Sequence, residues 1–439
     1  MSSKWNSLSR PLLESVIRKT TSGAYGMASH ENILLGDNPF GFILENGTIY
    51  LERFYKQQKQ LEILIDQRFS VEPSLIPIYA EIDDRLNFGQ KQALKAIFET
   101  HTLLIQGGPG SGKTFTISRL IPLFLFSFEK EMLRKPRILL ASQTAKAVHH
   151  LAKQLPPELA EVVQVETLHK VLRLSKEIKP PFPTLIDQDL VIVDESSMID
   201  GEMMNLFLSS LKPTTRVIFV GDPQQLPPIE GGAPFKWMLA SKKIKTCFLE
   251  GSQRAENRNL IDEANALFRG EKPKTLPLDS FKIEDVLPRF FQPQQEKPEI
   301  SFLIKYKILS SMRIGPYGSY ELSTQIFNSL KEQKGRYLLV PIMITQNSDR
   351  MQLYNGQEGV HLYDKKGKTQ LAYFPHLLDP IPLPLLPPYE ISYAISIHKS
   401  QGSEYEEVDI LLPSSKEPLL TEHLYTAVTR AKKLFRLFS

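Results

Sequence analysis

Cysteine is nearly absent from this chain: Cys247 is the only one in 439 residues. No disulfide can close within the chain, and no cysteine-based zinc site can form. Long apolar runs are missing as well. Stretches such as IPLFLFSF, at 121–128, fall far short of a bilayer span. The opening segment MSSKWNSLSRPLLESVIRKT lacks the apolar centre of a secretion signal. The expectation is a soluble cytoplasmic protein with no membrane partner. A large charge excess is lacking too: 53 Lys and Arg face 49 Asp and Glu, for a net charge of +4. That balance permits nucleic-acid binding through local patches without requiring it. No repeat of fixed period runs along the chain. What remains is an ordinary globular composition, 41% hydrophobic and 23% charged. The length exceeds what one core usually serves, so two or three domains are expected.

Residues 1–82 carry no chemical motif. Asn46-Gly47, in FGFILENGTIYLERFYKQQ, suggests a hairpin turn, because Asn-Gly accepts the positive φ such turns need. A helical run, KQQKQLEILIDQRF, follows, and VEPSLIPIYAEIDD reads as a connection. From about 85 to 250, helical segments alternate with the short apolar runs HTLLIQ, RILLAS, DLVIVDE and RVIFVGD. Near-continuous apolar runs of this length are typical of strands buried on both faces of a parallel sheet. The expected architecture is doubly wound α/β, with ligands at the carboxyl ends of the strands. Residues 271–300 are proline-rich and poorly periodic. RYLLVPIMI returns to strand character, and NGQEGVHLYDKKGKTQLAYF reads as short strands joined by glycine turns. ISYAISIH and EVDILLP suggest further buried strands. Near the end, LYTAVTRAKKL places Leu424, Ala427, Val428, Ala431 and Leu434 at helical spacing, which predicts an amphipathic helix with a basic face.

The strongest chemical signal is GGPGSGKT: Gly107, Gly108, Pro109, Gly110, Ser111, Gly112, Lys113 and Thr114. It follows an apolar strand and opens a helix, the context of a phosphate-binding loop. Its glycines let backbone N–H groups curl around phosphate oxygens, and the helix N-terminus favours the anion. Lys113 is expected to reach the β- and γ-phosphates, and the Thr114 hydroxyl to bind Mg²⁺. LVIVDESS delivers Asp194 and Glu195 to a strand end. Asp194 is expected to hold Mg²⁺, and Glu195 to orient and deprotonate the attacking water. That assignment favours a nucleoside-triphosphate hydrolase over a kinase. In VIFVGDPQQLPP, Gln225 is a candidate γ-phosphate sensor, because its amide both donates and accepts. Asp222 and Gln224 have an ordinary turn reading of comparable weight.

LNFGQKQA, GGPGSGKT, VDESSM, VGDPQQLPP, SQRA, SIHKSQGSEY and LYTAVTRAK, in this order, resemble the superfamily 1 helicases of the RecD type, the alpha-subunit family of exodeoxyribonuclease V. The likeness covers about 86–270 and 336–439. It implies two RecA-like P-loop NTPase domains, at 83–250 and 251–439. Residues 1–82 are expected to form a small N-terminal α+β domain that docks a partner, and the glycine-joined strands a small β insert at about 350–388. The likeness assigns Gln90 to the adenine of ATP, Arg254 and Arg430 to the γ-phosphate from the second domain, and Glu404 to the ribose. Gly402 would allow close backbone approach. It makes Thr144, Lys146, Thr167, His169, His398 and Lys399 candidate DNA contacts. The sequence departs from the family where Gln143 and Ala145 replace the usual Pro and Gly, so the shape of that DNA-contact loop is expected to differ.

The resemblance implies an ATP- and Mg²⁺-dependent 5′ to 3′ helicase or translocase on single-stranded DNA. It would unwind duplex DNA within a heterotrimer with RecB-like and RecC-like subunits, in the repair of double-strand breaks. A stand-alone RecD-like helicase and an ATPase switch without unwinding are the alternatives. No nuclease centre is expected in this chain: EIK, at 177–179, has no acidic cluster around it.

Overall fold

The structure is a computed structural model. It describes residues 26–27, 42–45, 48–159, 161–174, 183–228, 232–250, 258–290, 298–333, 335–367, 370–413 and 421–439. The chain divides into two compact units, Met1–Gly251 and Ser252–Ser439.

The first unit begins with three short antiparallel strands, β1 (Gly26–Met27), β2 (Phe42–Glu45) and β3 (Thr48–Leu51). Glu45 pairs with Thr48, which makes β2 and β3 a tight hairpin; its turn residues lie outside the described residues. Helix α1 (Glu52–Phe69) follows directly and buries Phe54, Leu61, Leu64 and Ile65 in the same apolar cluster as strands of the main sheet. Its Arg68 is 6% exposed and is held entirely by oxygens of the sheet's amino-terminal end. The guanidinium donates to Thr102 Oγ1 at 3.1 Å, the His101 carbonyl at 3.2 Å, the Lys212 carbonyl at 3.3 Å and the Thr215 carbonyl. Helix α1 is therefore built into the core of the unit that carries the phosphate loop.

That main sheet has the order β6-β5-β7-β8-β4-β9, with every pair parallel. Its strands are β4 (Thr102–Gln106), β5 (Ile138–Ser142), β6 (Val163–Thr167), β7 (Leu190–Asp194), β8 (Arg216–Gly221) and β9 (Lys245–Phe248). Along β4, Leu103 and Ile105 face one apolar cluster and Leu104 the other. Both faces are covered, which explains why these strands read as unbroken apolar runs. The covering helices are α2 (Phe88–Glu99), α3 (Lys113–Met132), α4 (Ala145–Gln154), the single turn α5 (Leu168–Val171), α6 (Gly201–Ser210) and α7 (Pro234–Ser241).

In the second unit, α8 (Arg258–Ala266), α9 (Ile283–Phe290), α10 (Phe302–Lys305), α11 (Ser319–Glu332) and α12 (Thr421–Val428) surround two sheets. Helix α9 arises within the proline-rich stretch that shows no periodicity, and buried Val286 and Phe290 anchor it. One sheet is parallel, in the order β16-β10-β17-β18. It is built from β10 (Tyr306–Ser310), β16 (Ala394–Ser396), β17 (Tyr405–Leu411) and β18 (Ala431–Phe438). The other is antiparallel, in the order β14-β13-β12-β11-β15. It comprises β11 (Tyr337–Ile344), β12 (Glu358–Asp364), β13 (Gln370–Tyr373), β14 (Ile381–Pro382) and β15 (Tyr389–Ile391). This insert sheet thus takes strands from both sides of the 350–388 segment.

One element differs from its sequence reading. LYTAVTRAKKL is not one helix: α12 stops at Val428, and Ala431 already begins β18. Parallel pairing with β17 prevails over the helical spacing, drawing Leu434 opposite Glu407.

Candidate nucleotide and nucleic-acid site

Strands β7, β8 and β4 are neighbours, so their carboxyl ends bring three motifs together. Gln106 at the end of β4 pairs with Gly221 at the end of β8, and the Gly107 N–H donates to the Gly221 carbonyl at 3.2 Å. The loop from 107 to 112 then turns into α3. Gly110 and Gly112 adopt φ of 73° and 84°, a left-handed backbone that side chains resist. The Lys113 ammonium lies folded over the loop, donating to the carbonyls of Gly107 at 2.8 Å and Gly108 at 3.0 Å. Thr114 follows in the first turn of α3.

Strand β7 delivers Asp194, 8% exposed, and Glu195 takes a left-handed φ of 52°, unusual for a residue with a side chain. Burial and then the Glu195 charge push the Asp194 carboxyl up to about 7, while the Lys113 charge opposes the rise. An acidic pair of this kind is stabilised by a bound cation. Beyond β8, Asp222 makes the turn expected of it. Its carboxylate accepts from the Gln224 N–H at 3.0 Å and from Gln225 Nε2 at 3.4 Å.

Gln90 is fully buried in the first turn of α2. It shares a capping box with Asn87: the Asn87 side chain accepts from the Gln90 N–H at 2.9 Å, and Gln90 Oε1 accepts from the Asn87 N–H at 3.0 Å. Its Nε2 donor has no partner. The same holds, among the described residues, for Ser111 Oγ, Glu195 Oε2, Ser197 Oγ and Gln225 Oε1. Buried polar atoms are rarely left unpaired. Five of them within the motifs at one end of one sheet fit a polar ligand such as a nucleoside triphosphate with its cation. Ser197 escapes sequence reasoning, although it stands two residues beyond Glu195 in the same loop.

The candidate DNA contacts of the first unit sit on the neighbouring strand ends, since Ser142 of β5 pairs with Thr167 of β6. Thr144 and Thr167 both cap helices: their hydroxyls accept from the Ala147 N–H at 3.2 Å and the Lys170 N–H at 3.3 Å. His169 is exposed, and Lys146 is half-buried.

In the second unit, the expected site residues already hold partners. Arg430 is 5% exposed and donates to the Thr426 carbonyl at 3.0 Å, the Ser403 carbonyl at 3.2 Å and Thr429 Oγ1 at 3.2 Å. Glu404 pairs with Lys432 at 3.1 Å, and Lys399 pairs with Glu390. His398 packs edge-on against His423, with ring centres 5.3 Å apart. Gly402 has a φ of 71° with open space where a side chain would stand, so backbone conformation rather than close packing calls for glycine there. Arg254 lies outside the described residues, as does the EIK tripeptide.

The AAA domain family matches residues 85–281, and the UvrD-like helicase C-terminal domain matches residues 392–438. The RecBCD enzyme subunit RecD of Mycobacterium tuberculosis is 28% identical, with 92% of this chain and 78% of that protein covered. The corresponding RecD of Mycolicibacterium smegmatis is 29% identical, with 92% and 80% covered. The ATP-dependent RecD2 DNA helicase of Deinococcus radiodurans is 24% identical, with 89% of this chain but 55% of that protein covered.

Proposed function

We propose that this chain is a RecD-type superfamily 1 helicase, an ATP-hydrolysing DNA helicase acting as a subunit of a RecBCD-like complex. The observation that carries this reading is the order of parts. A phosphate-loop unit with buried Asp194 beside Glu195 is followed by a second unit, in which the UvrD-like helicase match covers Glu404 and Arg430.

ATP is held by Lys113, the loop glycines and Gln90, whose unpaired Nε2 suits a ring-nitrogen acceptor of adenine. Thr114 and Asp194 would hold Mg²⁺, which would supply charge neutralisation on the phosphates. Glu195 takes the proton of the attacking water. Gln225 senses the γ-phosphate, and Arg254 and Arg430 stabilise charge on the transferring phosphoryl group. Thr144, Lys146, Thr167, His169, His398 and Lys399 contact DNA, chiefly its backbone, which suits a motor that must tolerate any sequence. Translocation runs 5′ to 3′, and residues 1–82 dock the chain to RecB-like and RecC-like subunits.

The test measures DNA-stimulated ATP hydrolysis and strand displacement for wild type and Lys113→Gln, alone and with the candidate partner subunits. Stimulation by single-stranded DNA, with unwinding lost in the variant, is expected. ATP turnover indifferent to DNA, with no unwinding even in the presence of partners, overturns the reading in favour of an ATPase switch. Unwinding by the chain alone at the rate of the complex favours a stand-alone helicase.

A further inference from the structure

The two sheets of the second unit are joined through buried charge. Lys307 of β10 has 1% of its side chain exposed, and Glu358, which opens β12 of the insert sheet, has 9%. The Lys307 ammonium donates to Glu358 Oε2 at 2.7 Å and to the Ser392 carbonyl at 2.8 Å. It also lies 5.3 Å from the centre of the Tyr405 ring. The second carboxylate oxygen, Glu358 Oε1, accepts from the Tyr405 hydroxyl.

Tyr405 is 2% exposed and opens β17, directly after Glu404. Its hydroxyl also hydrogen-bonds to the Ser403 side chain. Its backbone N–H donates to the Arg430 carbonyl at 2.8 Å, and the Ser403 carbonyl accepts from Arg430 Nη1 at 3.2 Å. A continuous path of polar contacts and covalent backbone thus runs from Lys307 through Glu358, Tyr405 and Ser403 to Arg430. The insert sheet makes a second polar contact along the same row, to the turn that follows β16. Met343 of β11 pairs with Glu358 on one side and Glu390 on the other, and Glu390 binds Lys399.

A buried ion pair is a weak source of stability, because desolvation offsets most of its attraction. What it does provide is fixed geometry, since moving any member leaves another polar group unpaired. We infer that Glu358 and Tyr405 are positioning residues for ATP hydrolysis: through Ser403 they hold the Arg430 guanidinium in its working orientation, and they make that orientation depend on the insert sheet. This inference rests on the role proposed for Arg430.

The test is a double-mutant cycle on the full chain, with Tyr405→Phe, Arg430→Ala and both together, read by single-turnover and steady-state ATP hydrolysis with saturating single-stranded DNA. Tyr405→Phe removes one hydroxyl and keeps the ring. It is expected to lower kcat about five- to tenfold with KM for ATP within about twofold of wild type. Because Tyr405 acts through Arg430, it is expected to cause no further loss in the Arg430→Ala background. Normal kcat in Tyr405→Phe, when Arg430→Ala has collapsed, overturns the inference and leaves the Arg430 role standing. Losses that multiply in the double variant also overturn it. Near-normal turnover in Arg430→Ala itself removes the premise, and the inference with it. If Tyr405→Phe does not fold, Glu358→Gln goes through the same cycle, and the same non-additivity is required of it.

Discussion

The two units handle their functional side chains in opposite ways. In the first, Gln90, Ser111, Glu195, Ser197 and Gln225 each keep a buried polar atom without a partner. In the second, Arg430, Glu404 and Lys399 are engaged inside their own unit, by backbone carbonyls, Lys432 and Glu390. Apart from Lys113, which must give up the Gly107 and Gly108 carbonyls, the first unit is preorganised for a polar ligand, whose binding would satisfy groups that folding has already desolvated. In the second, Glu404 and Lys399 must exchange internal partners for external ones, so their contribution costs more and can depend on state, whereas Arg430 is held in place by its own. On the proposed function the lesson is a division of labour: the first unit supplies most of the nucleotide affinity, and the second supplies Arg430 to turnover.

The sharpest way to break that division is to remove one cation from each side. Lys113→Gln is expected to weaken ATP binding and abolish measurable hydrolysis. Arg430→Ala is expected to lower kcat by about 10³-fold or more while ATP affinity changes little. Direct nucleotide-binding measurements beside turnover separate the two. Equal losses of affinity in both variants would dissolve the distinction. Because Arg430 is buried and hydrogen-bonded, its removal also takes one donor from each of the Ser403 and Thr426 carbonyls. Melting curves must therefore accompany the kinetics.

The units also tie in their flanking elements differently. Lys307 has a carboxylate partner in Glu358, whereas Arg68 is held only by a hydroxyl and carbonyl oxygens. Helix α1 therefore depends more on apolar packing. Leu61→Ala, at a 2% exposed position, is expected to destabilise the first unit by about 2–5 kcal/mol. Chemical denaturation of the full chain would show it, with the second unit's transition unchanged. A loss below about 1 kcal/mol would mean that α1 is an attachment and not part of the core. A deletion meant to test partner docking should for the same reason end before α1.

Much of the first unit was legible because its signals are local. The phosphate loop, the Asp194–Glu195 pair and the buried strands each declare themselves within a few residues. The second unit was less so. Its parallel sheet draws together β10, β16, β17 and β18 from remote parts of the chain, and its insert sheet begins at Tyr337. The segment after Val428 illustrates the reason. Ala431 and Leu434 continue a helical spacing, but the backbone leaves the helix to pair with Tyr405 and Glu407. A short pattern compatible with both periods is decided by a partner strand that no local window contains. Lys307, Glu358 and Tyr405 were silent for the same reason: only folding brings them together.

Gln90 gives a smaller and more selective test of the first unit. Its Oε1 closes the capping box of α2 and its Nε2 is unpaired, so one amide can cap the helix and still offer a donor to a ligand. Gln90→Glu keeps the acceptor for the Asn87 N–H and replaces the unpaired donor with an acceptor. It is expected to raise KM for ATP about tenfold, to leave kcat nearly intact, and to reduce the preference for ATP over GTP. Asn87→Ala, which removes the other half of the cap, is expected to cost about 1 kcal/mol of stability with nucleotide preference unchanged. An unchanged KM in Gln90→Glu would reduce this glutamine to a helix cap.

The smallest expected effect is one of acidity, and it reports on each unit separately. His101, buried beside Arg216 and Arg68, is pushed down to about 4, mainly by burial. In the second unit, His423 is pushed down to about 4 by burial and by His398, with Glu422 opposing. Both rings are neutral when folded and take up a proton more readily when unfolded. Stability from this source is therefore complete above the ordinary histidine value of about 6.5. It declines as pH falls from there toward 4. Denaturant midpoints measured from pH 7.5 to 5 are expected to drift downward for the second unit; in the first, the raised Asp194 carboxyl takes up a proton on folding over the same range and opposes the His101 loss. His101→Gln should lift the acid end of the first unit's profile alone, and His423→Gln should flatten the drift of the second alone. If either substitution altered both profiles, or neither, the acid sensitivity would have to lie in groups other than these rings.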